Sequence, residues 1–165
     1  MDKAVADSSV LIHLAAIGRL NLLPQLYAEI LIPDAVWHEV VTQGRSRPVV
    51  DQVERAEQDG WLRRHHVANH ALETALRHEL HAGEAAAICL ALECQADVLL
   101  VDEAEARQLA AQHGLRTTGI VGVLFRAKQA GYVDCIKPCL TALTESGFYL
   151  AAPFVQRILQ EAGED

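Results

Sequence analysis

The segment Ala96–Arg107 constrains the fold of this chain more than any other. Four apolar residues, Val98–Val101, lead directly into Asp102 and Glu103, and a helical pattern from Ala104 to Gln112 follows without a Gly or Pro. This order is typical of a buried parallel strand that ends at the carboxyl edge of a sheet and continues into a helix. Open α/β sheets bind ligands in the crevice at that edge. We therefore predict that Asp102 faces a ligand site.

Length and composition favour one helix-rich α/β domain. The chain has 165 residues, of which 51% are hydrophobic and only 5% aromatic, a balance that favours an α/β protein over a β-sandwich or barrel. Further short strands are predicted at Lys3–Ala6, Glu29–Ile32 and Leu115–Thr118, and a helix at Leu20–Ala28. We expect a single domain over 1–165, with the C-terminal helices, about 138–162, as an appendage packed on the same core.

The sequence predicts a cytoplasmic protein that does not enter a membrane. No apolar run reaches the roughly 20 residues needed to cross a bilayer, and the N-terminus lacks the pattern of a secretory signal. The four cysteines fit reduced thiols on helix faces. The net charge of −8 argues against a general electrostatic grip on nucleic acid, but it also fits a clustered acidic site.

Three further acids occupy positions comparable to that of Asp102. Asp7 follows the first strand, Glu39 lies in the helix after Pro33, and Glu84 lies in the first turn of a nearly all-apolar helix. Each has a simpler explanation: Asp7 as a helix N-cap, Glu39 as a solvated side chain, and Glu84 as a partner of the helix dipole. If the four converge, they form an oxygen-rich site suited to Mg²⁺ or Mn²⁺.

The section from residue 45 to residue 81 is the most basic part of the chain. Its basic side chains include five arginines and five histidines, and the histidine spacing matches no zinc ligand set, so a solvated surface is favoured over a metal site. If a phosphate backbone binds anywhere on this protein, we expect it near this section. The residues concerned are Arg45, Arg47, Arg63, Arg64, Arg77, His65, His66, His70, His78 and His81.

Four segments of the chain form an ordered set of motifs: Val5–Ser9, Ile32–Val40, Gly83–Ala85 and Leu100–Glu103 with Arg107. Together they resemble the motifs of PIN-domain proteins. The pattern Gly119–Leu124 narrows the resemblance to a bacterial and archaeal PIN-like family related to the toxins of type II toxin–antitoxin pairs. No phosphate-binding loop, nucleophile elbow or dinucleotide fingerprint competes with this interpretation.

The resemblance implies a three-layer α/β/α fold with a central parallel sheet of about five strands, and a Mg²⁺- or Mn²⁺-dependent ribonuclease site. Carried over by position, the catalytic residues would be Asp7, Glu39, Glu84 and Asp102. The metal ligands would be Asp7, Glu84, Asp102 and, as an addition, Glu103. Ser8 or Ser9 could orient Asp7, and Arg107 could pair with one of the acids.

Activity and partners follow from the same resemblance. The leading hypothesis is an endoribonuclease that acts as a toxin restrained by an antitoxin protein, with RNA as substrate. The alternatives are a non-catalytic module that binds RNA or a protein, and a nuclease or phosphatase acting on another phosphodiester. A homodimer is predicted because the C-terminal helix has an apolar face that includes Phe154 and Leu159.

Overall fold

The computed structural model describes residues 1–165, and its centre is a sheet of five parallel strands in the order β3-β2-β1-β4-β5. At the middle of the sheet, Val5 of β1 pairs with Leu31 of β2 on one side and with Leu99 of β4 on the other. The predicted sheet is therefore confirmed, with the first strand at its middle. The strands are β1 (Asp2–Ala6), β2 (Tyr27–Pro33), β3 (Leu62–His65), β4 (Val98–Leu100) and β5 (Thr117–Thr118).

Ten helices connect and cover the strands. The third helix changes to π-helical geometry at its end, over His38–Thr42. The helices are α1 (Ser8–Ala16), α2 (Leu22–Leu26), α3 (Asp34–Trp37), α4 (Arg47–Gln58), α5 (His70–Leu76), α6 (Ala82–Glu93), α7 (Ala104–Gln112), α8 (Ile120–Gln129), α9 (Lys137–Glu145) and α10 (Ala152–Glu161). None of them combines the length and the apolar character that a membrane span requires.

Two hydrophobic cores lie on opposite faces of the sheet, because successive strand residues point to opposite sides. Ala4 and Ala6 join the larger core with helices α1, α2, α4, α8, α9 and α10. Val5 joins the smaller core with α5, α6 and α7. This arrangement is the three-layer α/β/α fold that the resemblance implied.

The structure corrects the predicted helix at Leu20–Ala28. Helix α2 ends at Leu26, and Tyr27 already belongs to β2. The Tyr27 ring is buried, and its hydroxyl accepts a hydrogen bond from Arg126 Nη1 at 3.3 Å. A contact between residues 99 positions apart thus helps to set the start of this strand, and a local pattern cannot reveal it.

The C-terminal helices are fastened to α8 through Glu164. This carboxylate accepts hydrogen bonds from Lys128 Nζ at 2.7 Å, from the Ile136 amide at 2.9 Å and from the Lys137 amide at 3.0 Å. Helices α9 and α10 add Leu143 and other apolar residues to the larger core. Both polar and apolar contacts therefore join these helices to the rest of the chain.

Candidate active site

The carboxyl ends of β1 and β4 bring Asp7 and Asp102 to one edge of the sheet. The two strands are neighbours, and Ala6 lies opposite Leu100. The Asp7 amide donates a hydrogen bond to the Leu100 carbonyl at 3.0 Å, so the pairing continues one residue beyond β1. Adjacent parallel strands therefore place two acids, far apart in sequence, side by side.

One cavity of about 410 Å³ at this edge is lined by all five acids that the sequence singled out. We call it the acid pocket. It has few apolar residues, and its mouth is bordered by an aromatic pair that follows α9. Its lining residues are Asp7, Ser8, Ser9, Glu39, His81, Glu84, Asp102, Glu103, Ala104, Phe148 and Tyr149.

Asp7 both caps α1 and lines the acid pocket. Its Oδ1 accepts a hydrogen bond from the Val10 amide at 3.2 Å, and the side chain is buried. Burial is the main cause that raises the pKa of Asp7 to about 7, and the nearby charges of Asp102, Glu84 and Glu39 raise it further. The N-cap and pocket interpretations of Asp7 are thus compatible, because one carboxylate oxygen caps the helix and the other remains without a hydrogen bond.

Asp102 is held by one oxygen and unpartnered at the other. Its Oδ1 accepts a hydrogen bond from the Ile120 amide, the first residue of α8, at 2.9 Å. Its Oδ2 is buried and has no hydrogen-bond partner. Burial raises the pKa of Asp102 despite that hydrogen bond and despite the positive charge of Arg107. A buried oxygen without a partner is costly in a folded protein, which is the condition expected of an atom that binds a ligand.

Gly119 is required for this arrangement of Asp102. A β-carbon at this glycine would lie 2.6 Å from Asp102 Oδ1. The backbone of Gly119 is extended, with φ of −90° and ψ of −178°, so other residues could adopt its conformation. Its small size, rather than its flexibility, allows the carboxylate to reach the start of α8.

Ser8 fixes the Glu39 carboxylate at a place where the backbone of Gly83 lies very close to it. Ser8 Oγ donates a hydrogen bond to Glu39 Oε2 at 2.8 Å. A β-carbon at Gly83 would lie 2.8 Å from that carboxylate oxygen and 3.1 Å from the serine hydroxyl. The serine that was expected to orient Asp7 therefore holds Glu39, while Ser9 lines the pocket without a hydrogen bond to any acid.

Glu84 and Glu103 complete the acidic lining. Glu84 Oε1 accepts a hydrogen bond from the His81 amide at 3.1 Å, so it helps to cap α6. Its pKa is raised, mainly by burial and further by the charges of Glu103 and Glu39. Glu103 is exposed at the start of α7. Glu84, like Asp7, therefore both stabilises a helix terminus and lines the acid pocket.

Arg107 and the basic section fall on different surfaces. Arg107 is exposed and forms no salt bridge, but it lines a second cavity together with Asp102.

In the basic section, Arg47, Arg63 and Arg64 are each paired with a carboxylate. These pairs neutralise part of the positive surface that was considered for phosphate binding.

Three residues close to the acids were not predicted from the sequence: His13, Phe148 and Tyr149. The His13 ring packs edge-on against Phe148, with ring centroids 4.8 Å apart, and burial lowers the pKa of His13. Phe148 and Tyr149 follow Gly147 in a segment without regular secondary structure. Two adjacent aromatic residues outside any helix or strand, in a chain with so few aromatics, were the available signal.

A divalent cation fits the donor set of the acid pocket, although the carboxylates do not form a closed cage. No three side chains among His, Cys, Asp and Glu are grouped closely enough to hold an ion by themselves. Mg²⁺ usually keeps several waters and uses only one or two protein carboxylates together with substrate oxygens. The unpartnered Oδ2 of Asp102 and the raised pKa of Asp7 indicate that these groups lack a counter-charge that a cation would supply.

Comparison with protein families agrees with the fold and with this geometry. The family model DUF3368, described as a PIN domain, matches residues 3–164, which is nearly the whole chain. No curated protein sequence matches this chain significantly. PIN domains are generally nucleases that use divalent metal ions. From this match, the parallel sheet and the acids at its edge, we conclude that the chain belongs to the PIN-domain family.

Proposed function

We propose that this protein is an endoribonuclease that hydrolyses RNA phosphodiesters with Mg²⁺ or Mn²⁺. The observation on which the proposal depends most is that five acids from four separate segments of the chain line one pocket. Repulsion among such charges is unfavourable unless a cation is bound. Family membership supports nuclease activity in general, whereas the choice of RNA and of these two metals is our inference.

Asp7, Glu84 and Asp102, with Glu103 as an additional ligand, would hold the cation partly through bound waters, because no three of these side chains are grouped closely enough to coordinate one ion directly. A divalent cation in this pocket would activate water and neutralise charge on the phosphodiester. Asp102 offers its Oδ2 from a fixed position, because its Oδ1 is anchored to α8. Glu39, oriented by Ser8, would accept a proton from the attacking water.

The decisive experiment compares the purified protein with two acid variants and one control. Asp102→Asn and Glu84→Gln should each bind Mn²⁺ more weakly by calorimetry. Their cleavage of single-stranded RNA should fall by more than the roughly 100-fold that loss of a supporting group costs. Asp134→Asn is the matched control, because Asp134 is exposed and lies outside the pocket. Equal cleavage by Asp102→Asn would refute the catalytic assignment.

The same experiment separates two alternatives. A module that binds RNA or a protein without cutting would show no cleavage by the unmodified chain at any Mn²⁺ concentration. A nuclease or phosphatase with another substrate would cleave DNA or a phosphate ester in preference to RNA. The net charge of −8 is the observation that favours testing the non-catalytic alternative, because it provides no general attraction for nucleic acid.

We also propose that the protein acts in the cytoplasm as a toxin controlled by an antitoxin, and that it forms a homodimer. The resemblance to toxin–antitoxin proteins supports these proposals, whereas the apolar face of α10 that suggested a homodimer packs Val155, Ile158 and Leu159 on the larger core. Expression of the chain should arrest growth, co-expression of an adjacent small DNA-binding gene should relieve the arrest, and Asp102→Asn should abolish it. Light scattering should give the mass of a dimer, and a monomer mass would exclude the homodimer.

A further inference from the structure

A second cavity, of about 700 Å³, adjoins the acid pocket. It lies between α8 and the segment from Phe148 to Glu161, and we call it the aromatic groove. Asp102, Phe148 and Tyr149 line both cavities, so the two form one continuous surface. Its volume is within the range of about 300–1,000 Å³ that small-ligand sites occupy.

The aromatic groove combines aromatic rings with positive charges. Tyr149 has 85% of its surface exposed, and Phe125 and Phe154 form part of the apolar wall. Arg107 and Arg126 also line the groove, and neither forms a salt bridge with a carboxylate. Single-stranded nucleic acids are recognised by aromatic rings that stack on bases and by positive charges along the backbone.

We propose that the aromatic groove binds the nucleotide next to the cleaved phosphodiester, with its base stacked on Tyr149 and its phosphate near Arg107. This inference rests on the proposed function, since a strand that places a phosphate in the acid pocket must extend over a neighbouring surface. The two arginines favour this occupant, because neither is engaged in a salt bridge and both can face a phosphate. In the groove they balance the charges of Asp102 and Glu161, whereas the acid pocket has no arginine or lysine in its lining.

The test measures binding of a short fluorescent oligouridylate by anisotropy, with Ca²⁺ present in place of Mg²⁺ or Mn²⁺. Tyr149→Ala should weaken binding by about 5- to 150-fold, the usual loss when one stacking partner is removed. Tyr149→Phe keeps the ring and should bind like the unmodified chain. Tyr132→Ala is the matched control, because Tyr132 is also exposed, at 46%, but lies outside both cavities.

A second oligonucleotide distinguishes stacking from a structural effect. In a series of oligonucleotides, an abasic site replaces the base at each position in turn. At one of these positions, the unmodified chain and Tyr149→Ala should bind the oligonucleotide with equal affinity. This loss of coupling is the signature of a direct contact. Arg107→Gln should also reduce the slope of log K against log salt by about 0.7, as expected for one phosphate contact on a single strand.

The outcomes separate this inference from the proposed function. Efficient RNA cleavage with Tyr149→Ala binding as tightly as the unmodified chain would overturn the groove assignment and leave the nuclease proposal intact. Tyr149-dependent binding without cleavage would support the groove and refute catalysis. A change from dimer to monomer in Tyr149→Ala, with unchanged RNA affinity, would show that a second copy of the chain covers the groove and would overturn the inference.

Discussion

Replacing Asp7 by Asn should stabilise the metal-free protein at neutral and alkaline pH. The pKa of Asp7 is about 7 in the folded protein against 3.8 as the ordinary value. Over this interval the folded protein holds a proton that the unfolded chain has released. The free energy of unfolding therefore falls as pH rises from about 4 to about 7, and the loss is complete above that window.

The size of this effect follows from the pKa difference. About three pKa units at 1.36 kcal/mol each correspond to a penalty of about 4 kcal/mol at pH 8, of which about 3 kcal/mol develops between pH 5 and pH 8. Asn keeps an acceptor for the Val10 amide and is as good an N-cap as Asp. The substitution thus removes the charge and preserves the cap.

Urea unfolding in the presence of EDTA measures the effect. The stability advantage of Asp7→Asn over the unmodified chain should grow by about 3 kcal/mol from pH 5 to pH 8, whereas Asp134→Asn should follow the unmodified chain. Addition of Mn²⁺ at pH 8 should stabilise the unmodified chain more than Asp7→Asn, because only a ligand of the folded state raises stability. Parallel pH profiles for both proteins would refute the assignment of Asp7 as a buried, charge-strained group.

Three further substitutions test the packing around the site. Gly83→Ala should displace Glu39 and reduce cleavage at least about 10-fold. Its free energy of unfolding should be equal to that of the unmodified chain or up to about 1 kcal/mol higher, because alanine favours helix. Unchanged cleavage would contradict the role of Gly83 in placing Glu39. Gly119→Ala should cost about 1 kcal/mol by removing the Asp102 cap of α8 and should weaken Mn²⁺ binding in a calorimetric titration; full affinity would show that Asp102 tolerates displacement. Glu164→Ala should lower the free energy of unfolding by about 2–3 kcal/mol in urea, since it removes charged hydrogen bonds, without changing cleavage per folded molecule; a loss below about 0.5 kcal/mol would contradict that account.

The fold and the meeting of the acids were predictable where sequence pattern and topology coincide. The apolar run Val98–Val101 reads as a buried parallel strand, and parallel strands present their carboxyl ends at one edge. What could not be predicted depends on contacts between distant segments. The partner of Ser8 is Glu39 rather than Asp7 because the π-helical segment His38–Thr42 lies against α1, and no periodicity encodes that contact. Tyr149 reaches the site from a segment that has no regular structure.

The divided role of Asp102 couples the two cavities mechanically. One oxygen is tied to the first amide of α8, and that helix forms a wall of the aromatic groove. A molecule that displaced α8 would also displace the Asp102 carboxylate and disturb its alignment. A compound bound in the aromatic groove could therefore disturb Asp102 without occupying the acid pocket.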